Sequence, residues 1–135
     1  MRKSWYLPLI ALGVCIAGFD ASARQTQQTI VCKTPEIAPS CKWIHGRLEV
    51  ANGTPSYRLW QIGTHHLYGI SSGPGSLPEL DNEDPQMPAN LKKMFGKNPM
   101  AVRVFGDFEV CPLEPQHSGA MQDACISSAK NLVKQ

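Results

Sequence analysis

Charge of one sign is what this sequence most plainly lacks. Its 135 residues carry 13 Lys and Arg against 11 Asp and Glu, a formal net charge of +2. So even a balance leaves no electrostatic footprint for nucleic acid or for an anionic membrane surface. Long apolar runs are missing as well. The longest, from Leu7 to Phe19, is shorter than the roughly 20 residues a spanning helix needs, so no membrane span is expected. No two cysteines have C-x-x-C spacing, which weakens zinc-ribbon and thioredoxin-like readings. H-E-x-x-H and internal repeats are also absent, and with the first goes the common helical zinc-hydrolase site.

The N-terminus, in contrast, has a recognisable anatomy. Arg2 and Lys3 precede the apolar stretch, and Ala21, Ser22 and Ala23 supply small residues for cleavage. Residues 1–23 therefore read as a secretory signal removed after Ala23, with an exported chain of residues 24–135 forming one domain. Cys15 is a poor lipid-attachment site because bulky Val14 precedes it. Periplasm and external medium are both open. Removing Arg2, Lys3 and Asp20 from the totals leaves 11 basic and 10 acidic side chains, so the exported part is close to neutral.

Once Cys15 leaves with the signal, Cys32, Cys41, Cys111 and Cys125 remain. An even count in an oxidising compartment reads as two disulfides, for which three pairings exist. Local pairing, Cys32 with Cys41 and Cys111 with Cys125, is favoured because each pair brackets a proline-containing turn. Closing such short rings would contribute about 3 kcal/mol each in the chain-entropy picture.

The rest of the chain alternates as strands do. In "WIHGRLEV", Ile44, Leu48 and Val50 share one face and Trp43, His45, Arg47 and Glu49 the other. "ANGTPS" is a turn, and "YRLWQI" and "HHLYGI" flank Gly63-Thr64, which suits a type II′ hairpin. Residues 71–100 lose strand character and read as a long loop with a short helix, "ANLKKMF", stopped by Gly96. Strand character returns in "AVRVFGDFEVC", where Val102, Val104, Phe108 and Val110 share a face and Gly106 marks a bulge or bend. The tail "AMQDACISSAKNLV" is ambiguous, since Met121, Cys125, Ala129 and Leu132 have nearly helical spacing, and a last strand is placed at about 121–127 because a Cys111–Cys125 bridge suits an antiparallel neighbour. The fold class is all-β: a small five-stranded, OB-like barrel, with a β-sandwich as the alternative, and the long loop and helix between strands 3 and 4.

Register follows from pairing apolar faces. Val50 opposite Tyr57 and Leu48 opposite Leu59 place Glu49 against Arg58 and Arg47 over Trp60. Across the tight turn, Ile62 faces His65, Trp60 faces Leu67, Leu59 faces Tyr68 and Tyr57 faces Ile70. The outward face then presents Trp43, His45, Arg47, Glu49, Arg58, Trp60, Ile62 and His65. Adjacent strand residues point to opposite sides, so His65 and His66 are expected not to share a metal, and no cofactor is assigned. His117 reads as a solvated loop residue.

Candidate chemistry is sparse. Glu79, Asp81, Glu83 and Asp84 are an acidic loop without EF-hand spacing. Glu49, Asp107 and Glu109 are carboxylates on a sheet surface, as a glycosidase would need but as any sheet carries. Asn52 is a formal glycosylation acceptor compromised by Pro55. The strongest lead is the face with two tryptophans, where Trp43, His45, Arg47, Glu49, Arg58, Trp60 and His65 are candidate ligand contacts. The competing, purely structural expectation pairs Glu49 with Arg58, lays Arg47 over Trp60 and covers the face with the loop 71–100.

The strings "WIHGRLEVANGTPSYRLWQIGT", "PANL", "FGDFEVCPLEP" and "AKNLV" make residues 41–134 resemble a group of small, uncharacterised exported bacterial proteins. The resemblance implies one exported domain and a bacterial source, and attaches no activity, ligand or catalytic residue. The sequence therefore points to a binding or interaction module for a small molecule, glycan or protein rather than to an enzyme. A small extracellular hydrolase or metal-binding protein is the alternative.

Overall fold

The computed structural model describes residues 29–76 and 84–135. The expected signal at 1–23 lies outside the described residues, as do Glu79, Asp81 and Glu83. Five strands form a closed barrel: β1 (Lys42–Val50), β2 (Tyr57–Gln61), β3 (Leu67–Ile70), β4 (Arg103–Pro112) and β5 (Gln122–Lys134). Around the barrel the order is β1, β2, β3, β5, β4 and back to β1. All neighbours are antiparallel except β3 and β5, which run parallel through Tyr68–Ile70 and Gln122–Ala124. The fold is thus the small all-β barrel that the alternating pattern implies, with one short helix, α1 (Ala89–Phe95), between β3 and β4.

Alternation decides what the barrel encloses. Ile44 and Leu48 from β1, Tyr57 and Leu59 from β2, Tyr68 and Ile70 from β3, Val104, Phe108 and Val110 from β4, and Ala124 and Ile126 from β5 form one buried cluster. Val50 packs against that cluster, partly buried. Leu91 and Phe95, four apart on α1 and so on one helical face, add to the same core. The Phe95 ring meets Tyr57 edge to face at 5.2 Å. The helix therefore contributes one face to the barrel's core.

The register between β1 and β2 is the one the sequence implies: Val50 with Tyr57, Glu49 with Arg58, Leu48 with Leu59 and Arg47 with Trp60. Leu59 with Tyr68 and Trp60 with Leu67 follow on β3. At the turn the expectation fails. The Ile62 N–H donates to the His45 carbonyl at 3.1 Å instead of facing His65, so β2 keeps following β1 after β3 has parted from it. The turn is Gln61–Thr64, closed by Thr64 N–H to Gln61 O at 3.2 Å. Gly63 takes its third position at φ 82°, a type II placement rather than type II′. His65 and His66 consequently precede β3, and the rule that adjacent strand residues diverge does not govern them.

One further expectation is corrected and another is met. β5 runs on to Lys134 rather than stopping near 127. The register shifts against β4 at Phe105/Asp107 and again at Glu109/Val110, and the extra residues lie on β5. A bulge thus falls at Gly106, as expected, with the inserted residue on the facing strand. Gly106 faces Gly46 across β1 and β4, and a Cβ there would stand 2.7 Å from Leu132 Cδ2 and 3.0 Å from the Lys130 carbonyl. Its lack of a side chain admits the bulged strand.

The disulfides join Cys32 to Cys125 and Cys41 to Cys111, not the local pairs. Cys111 and Cys125 do lie opposite one another on β4 and β5, as an antiparallel hairpin requires. Val110, Ala124 and Ile126 point inward, so the two cysteines point out of the barrel. The segment 32–41, with a 3-10 turn at Ala38–Ser40, crosses both strands there and offers each cysteine its own partner. The two bridges strap this segment to the outer wall, and a Lys33–Glu109 ion pair lies between them.

Candidate functional site

The outward face of β4, β1 and β2 brings most of the sequence's candidates together. His45 is opposite Asp107 in the ladder, and its Nδ1 bonds Asp107 Oδ1 at 2.9 Å. Asn131 Nδ2 donates to the other carboxylate oxygen at 2.7 Å. The Asn131 amide first, and the His45 ring second, hold the Asp107 carboxyl below its ordinary value. Trp43, one strand position along on the same face, is 46% exposed and carries the Lys130 ammonium over its ring at 4.3 Å. Glu109, the ladder partner of Trp43, is likewise held low, by Lys33 and then by the Ser127 hydroxyl.

The other tryptophan is built in. Arg47 lies over the Trp60 ring at 5.0 Å, as expected, and Trp60 Nε1 donates to the Thr64 carbonyl at 2.8 Å. Glu49 does not pair with Arg58. It accepts from Arg47 Nη2 at 3.4 Å and from Arg103 Nε at 3.1 Å, while Arg58 donates to the Pro55 and Asn52 carbonyls. The described part of the long connection supplies α1 to the core. Of its acidic cluster, Asp84 is described and pairs with Lys92 at 2.9 Å.

The histidines separate differently from the sequence picture. His45 stays on the sheet face, whereas His65 and His66 line a groove of about 700 Å³ with His117 and Lys42, between the β2–β3 turn and the β4–β5 loop. His66 stacks on Tyr68 with ring centroids 4.1 Å apart. No group of three or more His, Cys, Asp or Glu among the described residues is placed to hold a metal ion. No helix among them is long and apolar enough to cross a membrane.

Sequence reasoning missed Lys130 and Asn131, which complete the Trp43–His45–Asp107 cluster. They sit beyond the expected end of the last strand. It also passed over a G-x-S-x-G spelling at Gly69–Gly73. In the lipase-type motif the serine stands exposed on a strand-to-helix turn beside a histidine. Here Ser71 is buried, 5% exposed, and its Oγ donates to Asp123 Oδ1 at 2.9 Å, so the spelling builds no nucleophile. No known protein family, curated protein or solved structure matches the chain.

The Asp107 geometry has a pH signature. A carboxyl whose folded pKa is depressed stabilises the fold fully above its unfolded pKa, about 4, and loses that contribution as pH falls through the folded value. Asp107→Asn should therefore lower Tm at pH 7, and the gap to the native chain should close as pH falls below about 4. Thermal melts across that range check it. A gap independent of pH would mean that the charge of Asp107 contributes nothing.

Proposed function

We propose that this protein is an exported binding module that takes a glycan on the outward face of β1, β2 and β4. The observation that carries the reading is Trp43, an aromatic plane nearly half exposed, beside a carboxylate held in place by an imidazole and an amide. A sugar ring stacks its C–H face on an aromatic plane and offers paired hydroxyls to planar acceptors. The Asp107–Asn131 pair supplies acceptor and donor side by side, and Lys130 is a mobile-chain cation that a sugar can displace from the ring. A peptide added as an extra strand fits less well, because such addition needs a free sheet edge. β1 is bonded to β2 on one side and to β4 on the other. Secretion, a bacterial source and the resemblance to small exported proteins belong to this proposal too, and the disulfides suit an oxidising compartment.

Trp43 and Trp60 are the only tryptophans beyond residue 23, so intrinsic fluorescence reports on this face alone. A glycan screen on the oxidised protein should yield a ligand that shifts emission, and Trp43→Ala should weaken it by about 1–3 kcal/mol. Trp60→Ala should lower Tm instead, since Arg47 and Thr64 hold that ring. A glycan that binds Trp43→Ala normally would place the site elsewhere.

A further inference from the structure

The groove between the β2–β3 turn and the β4–β5 loop lies apart from the tryptophan face. The two are linked through Thr64, which lines the groove and accepts the Trp60 indole N–H. Its donors are one-sided. Lys42, His65, His66 and His117 line it together with Gln61 and Ser118, and no Asp or Glu among the described residues does. The acidic side chains nearest to it in the sequence among the described residues are occupied elsewhere. Glu114 Oε1 accepts the Asp123 backbone N–H at 2.8 Å, and Asp123 Oδ1 accepts from Ser71.

One group in the groove wall lacks a partner. His66 Nε2 is shielded from solvent and makes no hydrogen bond among the described residues. Buried polar atoms are nearly always paired, so a turn of the His66 ring toward the groove would bring Nε2 to a ligand oxygen. The volume, about 700 Å³, lies within the range of small-molecule sites, roughly 300–1,000 Å³. It exceeds many times the ~30 Å³ share of a single water, so it has room for an organic molecule. Lys42 supplies one fixed positive charge, which matches one carboxylate. The imidazoles, amide and hydroxyl then serve that carboxylate and neighbouring hydroxyl groups.

We infer that this groove is a second binding site, taking a small organic acid through its carboxylate. Acidic sugars and acidic metabolites share that chemistry, and D-glucuronate and citrate represent them. The oxidised protein is titrated with each at constant ionic strength, following the histidine ring protons by NMR, with glucose and glycerol as neutral counterparts. Saturable shifts of His65, His66 and His117 with at least one acid, and none with the neutral compounds, are expected. Response to glucuronate alone marks an acidic sugar, and response to citrate alone a metabolite. Lys42→Gln and His117→Gln alter exposed side chains and should keep the native Tm. Lys42→Gln should weaken the acid at least fivefold, whereas Lys97→Gln, at an exposed position outside the groove, should not. The inference is overturned if neither acid gives a saturable shift, if glucose matches glucuronate, or if Lys42→Gln titrates like the native chain.

Discussion

Phe108→Ala should lower the free energy of unfolding by about 3–5 kcal/mol, the range for truncating a buried aromatic. Phe108 is completely buried in the middle of β4. It is paired in the ladder with Ile44 on one side and Ala129 on the other, and its ring lies beside Gly46. Gly46 and Gly106 already leave the wall without side chains there, so neighbouring atoms have little to move into the vacated space. For a domain of this size the loss amounts to a fall in Tm on the order of 15–30 °C. Urea unfolding with an unchanged m-value would measure it, and Phe108→Leu should recover most of the loss. A change under 1 kcal/mol would mean that the barrel collapses around the cavity far more readily than its closed hydrogen bonding suggests.

Replacing Cys41 and Cys111 together by alanine should cost about 2–5 kcal/mol. The observed bridges span sequence separations of 93 and 70, so the chain-entropy picture assigns each about 4–5 kcal/mol, well above the local rings that the sequence suggested. Removing Cys32 and Cys125 should have a similar effect, and reduction of the native protein should combine the two. Equilibrium unfolding of the double variants under oxidising conditions is the measurement. Stability within 0.5 kcal/mol of native would show that the strapped segment stays docked by packing alone.

How much of this was legible in the sequence depended on whether a local pattern governed the outcome. The inward set Leu48, Leu59, Tyr57, Tyr68 and Ile70 was, because strict alternation admits one register and a slip would have buried Arg47 and Glu49. Helix α1 was also legible, between Pro88 and Gly96. The turn at Gly63 was not, because the Ile62 N–H was claimed by β1, a strand that hairpin rules for β2 and β3 do not consider. The second half of β5 was hidden by its own bulges. Two interruptions of the period, with Asn131 at φ 55°, make the stretch imitate helical spacing, and with it went Lys130 and Asn131 from the candidate site. His117 is remote in sequence from His65 and His66, and only barrel closure brings the three to one groove. The disulfides failed for a related reason: proximity in sequence favoured two small rings, whereas the strap's path over β4 and β5 decided the partners.

That nested connectivity sets an order of events for a chain that, exported as proposed, emerges N-terminus first into an oxidising space. Cys32 and Cys41 appear together, long before either proper partner, at positions 111 and 125. An oxidant that joins cysteines as they arrive would link the first two to each other, and later the last two. Both links must then be exchanged, or avoided until the barrel has closed and carried Cys111 and Cys125 under the waiting segment. Correct maturation of this small protein thus depends on its C-terminal strand, and on a disulfide isomerase wherever oxidation outruns folding.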